Sequence, residues 1–293
     1  MFPLKGIEKL REKLPDYQGN KIILFVLLAM VTVACSMMFQ IFFDSISRLF
    51  PGVVVLQFLE PVTPLIGSIV VLLLGFLNVY TVWRKRTRYK VKYEDKAYQK
   101  ALKFGVVGVT LVITVVVHSI VPFDLLAPYS QHSTVSIFLS TPIDQLLLGP
   151  TSIFFIVRIA LSLFFLLLAF LTIYRAITVF GFDYMLLVYL YYPEESEIQD
   201  SEIYSVLRHP TYHTLLLWYT ASLFFRFSFY SFTYYFIFLV GINLHLKLVE
   251  EKELIERFGE GYRKYRKEVP ALFVRFRDLG KYFRFLFSRN NSK

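Results

Sequence analysis

The chain has 293 residues, 56% of them hydrophobic and 18% aromatic, with a formal net charge of +10 and a mean hydropathy of +0.52. Soluble domains carry a smaller apolar share, so the composition points to an integral membrane protein. The basic residues flank apolar runs rather than forming a soluble groove, which argues against nucleic acid as the partner and for anionic lipid of the inner leaflet as the counter-charge.

The N-terminal arm carries Lys5, Lys9, Arg11, Lys13 and Lys21. Residues 22–43 come next without a charge and, at about 1.5 Å per residue, are long enough to cross a hydrocarbon core of roughly 30 Å. This run is too long for a signal-peptide core and no small-residue cleavage site follows it, so it is expected to be retained. The single cysteine, Cys35, lies inside it, which rules out an intramolecular disulfide; no cysteine-based or other metal site is expected. A second span covers 64–83 and is closed by Trp83 and by Arg84, Lys85 and Arg86; a third covers 104–123 and ends at Asp124. The fourth, 151–174, has Arg158 near its start, where snorkelling or pairing accounts for it. Two shorter runs, 211–225 and 227–244, are separated by little more than Arg226 and resemble a tight helical hairpin.

The expected fold is therefore all-α, a polytopic membrane bundle of about six spans with a C-terminal hairpin and an amphipathic tail. Lysine and arginine crowd the N-terminal arm, the loop after span two and the C-terminal tail, whereas 124–150 has neither, which places both termini in the cytoplasm. Residues 1–150 form an N-terminal region of three spans and 151–293 the remaining core. Within the cytoplasmic segment 175–210, "YMLLVYLYY" (184–192) is too short to span and reads as an interfacial helix, with "PEESEIQDSE" as a polar loop. His118 and His132 fall on the far half by this topology and take no catalytic assignment.

Two stretches carry chemistry. In "YSVLRHPTYHTL" (204–215), Pro210 fits the first turn of a helix and pushes His209 towards an extended conformation. The free N–H groups of that turn, with Arg208 and His209 beside them, predict an electropositive pocket at the cytoplasmic interface, unless Arg208 snorkels and His209 caps. In "INLHLKLVEEKELIERFGEGYRKYRKEVP", Asn243, Lys247 and Glu250 or Glu251 recur at helical spacing, and ionisable groups at the end of an apolar run are functional candidates. Leu254, Phe258, Tyr262 and Tyr265 continue as an apolar stripe of an amphipathic extension outside the bilayer, which Gly259 and Gly261 are expected to break.

The ordered series Arg208, His209, Pro210, Tyr212, then Glu250, Glu251, Leu254, Phe258, Gly259, Tyr262, Tyr265, Val269 and Pro270 resembles the isoprenylcysteine carboxyl methyltransferases and the related phospholipid methyltransferases over roughly 198–270. The resemblance implies a cytoplasm-facing pocket for S-adenosylmethionine, lined by Ile198, Tyr204, His209, Pro210, Thr211 and Tyr212, with Glu250 holding polar groups of the cofactor. It also implies a lipid or prenylated acceptor arriving from the bilayer, with Arg208, Lys247 and Glu251 as the catalytic candidates. The chain departs from the family at Ser196, Glu202, Thr214 and Leu246, the last standing where the family has an acceptor-associated arginine. Lys247 beside it cannot make the bidentate contact that a guanidinium makes with a carboxylate, which points to a membrane lipid or isoprenoid rather than a prenylcysteine carboxylate. Membrane sterol reductases, which use NADPH, share a similar C-terminal arrangement around R-x-P-N-Y; Thr211 in place of the asparagine, and Tyr262 with Tyr265, favour the methyltransferase side. A non-catalytic transporter or scaffold, with polar residues as packing glue, is the third reading.

Overall fold

The computed structural model describes residues 5–120, 133–149 and 153–288, and among these the ordered structure is helical, with no strand. Helix α1 (Ile7–Glu12) lies in the N-terminal arm and is followed by α2 (Ile23–Leu49), α3 (Val54–Leu59), α4 (Thr63–Arg84), α5 (Arg86–Tyr93) and α6 (Ala97–Ile120). Then come α7 (Thr134–Ser140), α8 (Ile143–Leu148), α9 (Phe154–Phe180) and two single turns, α10 (Phe182–Met185) and α11 (Val188–Tyr191). Helices α12 (Pro210–Arg226) and α13 (Phe229–His245) succeed them; α13 runs through a π-helical turn, Leu246–Glu250, into α14 (Glu251–Glu268), and α15 (Leu279–Phe287) comes last. The expected end of the third span at Phe123 and Asp124, the start of the fourth at Thr151, and His132 lie outside the described residues.

Among the described residues, five stretches are long and apolar enough to cross a membrane: Gly19–Leu49, Thr63–Arg84, Arg86–Ile120, Phe154–Phe180 and Phe229–Glu268. Helix α12 has 17 residues, about 25 Å at 1.5 Å per residue, short of a full hydrocarbon core of about 30 Å. Helices α2 and α9 turn large apolar side chains outward, among them Met30, Met38, Ile156 and Leu163, a surface suited to lipid.

Helices α4 and α6 approach closely because glycines face each other. A Cβ on Gly108 would stand 2.8 Å from the Gly75 carbonyl oxygen, and one on Gly75 would meet Val112 at 3.0 Å. Small residues permit this approach where no hydrophobic force drives helices together in lipid. Around the pair, Val71, Leu72, Val115, Leu216, Tyr219, Phe238 and Ile242 build the central core, and the Tyr219 and Phe238 rings stack at 4.0 Å.

Three expectations are corrected by the fold. "YMLLVYLYY" does not form one interfacial helix: Leu187 adopts φ 60° and splits it into α10 and α11, whose Val188, Leu190 and Tyr191 are buried against Leu10 and Leu14 of the N-terminal arm. The arm is fixed there by Lys9 and Lys13, both paired with Glu195 at 3.0 and 2.8 Å. In the tail only Gly259 breaks the α-helical path, with φ 60° and ψ −133°, while Gly261 continues the helix. Asn243, Lys247 and the glutamates do not share one face, because the π turn inserts a residue and rotates the remainder of the helix by about 100°. Asn243 and Lys247 are exposed, whereas Glu251 is 5% exposed.

Candidate functional site

Pro210 occupies the first turn of α12 and needs no hydrogen bond there, while His209 before it (φ −124°, ψ 68°) turns the chain out of the helix. The backbone N–H groups of Arg208 and His209 donate to the carbonyls of Pro270 and Ala271 at 2.9 and 3.2 Å, so the segment after α14 is laid against the start of α12. The π turn brings Glu250 and Glu251 to the same place. Arg208 donates to Glu251 and to the carbonyls of Val269 and Arg266, and Arg266 Nε stands 3.1 Å from the other Glu251 oxygen. Glu250 Oε1 lies 3.1 Å from His209 Nδ1, and its Oε2 accepts the Tyr212 hydroxyl at 2.5 Å.

The electropositive pocket expected from Arg208 and His209 is thus filled by the protein's own carboxylates. Burial works against a charged imidazole at His209, but hydrogen bonds and charge from Glu250 and Glu251 outweigh it and raise its pKa above the ordinary value. Burial likewise carries the Tyr204 phenol well above its usual range, so it stays neutral.

Beside this cluster opens a cleft of about 130 Å³. One wall is a run of rings: Tyr204 on Phe180 at 4.5 Å between centroids, Phe180 on Tyr184 at 3.9 Å, and Tyr184 on Tyr189 at 3.8 Å. His209, Glu250, Glu253 and Arg257 line the same space, as do Trp83 and Ile198. Glu253 takes a bidentate contact from Arg257 at 2.6 and 2.7 Å and a third from Arg86 at 3.1 Å. Tyr265 donates to the Tyr204 carbonyl at 2.7 Å, fixing the tail stripe behind the ring wall.

Of the residues singled out in the sequence, Ile198, Tyr204, Arg208, His209 and Glu250 line this one cleft. Tyr212 reaches it through Glu250, and Glu251 stands behind, held by Arg208 and Arg266. Pro210 and Thr211 begin α12 without lining the space. Lys247 is not brought in; it faces outward. Arg208, expected to touch substrate, is committed to Glu251 and two carbonyls, so its place is that of a clasp between α12 and the tail.

Sequence reasoning missed the Glu253–Arg257 pair, whose i, i+4 spacing was a legible signal. It also missed Trp83, Phe180, Tyr184 and Tyr189, which nothing local ties to the site. No family model, curated protein or solved structure matches the chain.

Proposed function

We propose that the chain is a membrane methyltransferase that takes S-adenosylmethionine in this cleft and transfers its methyl group to a lipid-like or isoprenoid acceptor. The observation that carries the reading is that the run of rings from Tyr204 to Tyr189 and the polar pair Glu250 and His209 line one and the same space. A sulfonium is a cation without an N–H to donate; aromatic faces and a nearby carboxylate are what stabilise it in a desolvated place. At about 130 Å³ the cleft is smaller than the roughly 300–1,000 Å³ common for small-molecule sites, so the bound cofactor extends beyond it.

Methyl transfer needs the acceptor nucleophile in line with the C–S bond: the new bond forms as that bond breaks, and the thioether leaves. The protein contributes position and exclusion of water, without an acid or base at the sulfur. Arg208 and Glu251 hold the wall in register, and Lys247, exposed at the α13–α14 junction, meets an acceptor headgroup from outside the cavity. The cations lining the cleft speak against NADPH: Arg208, His209 and Arg257 are each paired with a carboxylate, and none is left for phosphate groups. Titration calorimetry of the purified protein tests this directly. S-adenosylhomocysteine is expected to bind and NADPH not; the opposite result would give the site to a reductase.

In the bilayer the reading has α12 and α13 as a hairpin, six spans in all, and both termini in the cytoplasm with the cleft. The turn at Phe227 and Ser228, where Phe227 has φ 49° and Ser228 caps α13, supports the hairpin. In a Cys35→Ser background, a cysteine at Leu147, which is 77% exposed, is expected to react with an impermeant maleimide from outside intact cells. One at Lys96 should react only after permeabilisation. The reverse pattern rejects the orientation.

A further inference from the structure

Away from the cleft, the bundle holds a second polar site. Ser68 lies near the start of α4, fifteen residues and therefore about 22 Å from Trp83 at the cleft. There Gln40 and Asp44 of α2, Ser68 of α4 and His118 of α6 are buried at 0%, 8%, 1% and 6% exposure. Burying such groups among membrane helices is costly, and an ionisable pair placed there points to a function.

The hydrogen atoms can be counted along the chain these four residues form. Gln40 sends its amide nitrogen to the Ser36 carbonyl at 3.2 Å, which fixes its Oε1 as the acceptor towards Ser68 Oγ at 3.2 Å. The same Oγ stands 3.3 Å from His118 Nδ1, and His118 Nε2 stands 2.8 Å from Asp44 Oδ2. Ser68 has a single hydrogen to give. Given to Gln40, it requires His118 Nδ1 to donate to Ser68, and the His118–Asp44 pair then carries a proton on each side of the imidazole. Given to Nδ1, it leaves the imidazole neutral and Gln40 Oε1 without that donor. The two arrangements differ by one proton and by the direction of one hydroxyl.

A cavity of about 30 Å³ reaches this pair, room for one or two waters. Asp44 Oδ1 has no hydrogen-bond partner among the described residues, and Asp44 lines the cavity. The other ionisable groups lining it are Arg226 of α12 and Tyr230 and Tyr234 of α13; α4 and α7 bring only the hydroxyls of Ser68 and Ser140. Arg48 of α2 donates to the Asp44 backbone carbonyl at 3.1 Å, not to its carboxylate.

We propose that Asp44, His118 and Ser68 form a proton-binding site, separate from the cleft, in which uptake of one proton turns the Ser68 hydroxyl from His118 to Gln40. A hydronium in the cavity gives up its proton and leaves as water; an imidazole lone pair forms the new N–H bond, and the charge is held against the Asp44 carboxylate. No redox partner or further reactant is needed.

The test is nitrogen NMR of the full chain, labelled at its five histidines, in lipid nanodiscs. One imidazole signal, absent in His118→Gln, is expected to pass from doubly protonated to neutral as the pH is raised. Asp44→Asn is expected to lower its proton affinity by about tenfold or more, since the opposite charge is lost. Ser68→Ala, a milder change, should lower it too because Nδ1–H loses its acceptor. A His118 signal that stays in one neutral tautomer throughout overturns the proposal, as does a titration that Ser68→Ala leaves unmoved. Neither readout depends on what the cleft binds.

Discussion

Glu251→Gln is expected to destabilise the protein by about 3–5 kcal/mol, the largest effect of any single substitution in the cleft region. Glu251 and Arg208 are both 7% exposed at the side chain, so removing the carboxylate charge leaves a buried guanidinium facing neutral partners. Two backbone carbonyls, of Arg266 and Val269, remain to Arg208 and keep the cost towards the lower end. Because Arg266 also pairs with Glu251, the substitution weakens two ion pairs at once, Arg208–Glu251 between α14 and the segment before α12 and Arg266–Glu251 within α14, while the backbone bonds from Arg208 and His209 to the tail stay. Thermal unfolding in detergent, together with tail proteolysis, measures both effects. Lys247→Ala is the control: exposed and outside the cluster, it should change stability by no more than about 0.5 kcal/mol. Equal melting of wild type and Glu251→Gln would mean that the carbonyls alone hold Arg208.

Legibility in the sequence depends on which forces act locally. Apolar runs of about 20 residues announce helices in lipid, and the runs at 22–43 and 64–83 lie inside α2 and α4 but for Ile22, one residue before α2. The stripe Leu254, Phe258, Tyr262 and Tyr265 was readable for the same reason, and it packs as one cluster with Val269 and Ile198. The face of Lys247 was misread because helical spacing assumes 3.6 residues per turn, and the π turn at Leu246–Glu250 breaks that phase without a sequence signal. The sign of the pocket was misread differently. Arg208 and His209 look electropositive on their own, and their counter-charges, some 40 positions on, are supplied by tertiary folding. The docking of Leu10 and Leu14 beneath Val188 and Leu190 is also long-range; nothing in "EKLREKL" distinguishes it from a free basic arm.

Glu250→Gln is expected to weaken S-adenosylhomocysteine binding by about 1–3 kcal/mol, roughly 5- to 150-fold, the usual cost of removing a charged hydrogen-bond partner from a partly buried site. Glu250 serves two neighbours, His209 Nδ1 at 3.1 Å and the Tyr212 hydroxyl at 2.5 Å, so the amide loses charge at the first and presents a donor to one of them. His209→Ala should act in the same direction, and the double variant should lose less than the sum, because both remove the same pair. The pH dependence comes from the raised pKa of His209. Its ion pair contributes stability in full below the unfolded-state value of about 6.5, and that contribution is lost as pH rises through the higher folded-state value. Unfolding free energy of the wild type should therefore fall with pH across that window, and His209→Ala should flatten this part of the profile. Calorimetry at several pH values, on wild type and both single variants, reads affinity and stability separately. If Glu250→Gln and His209→Ala remain folded and bind the cofactor product as tightly as wild type, the cleft beside Tyr204 is not where it binds, and the aromatic wall serves packing alone.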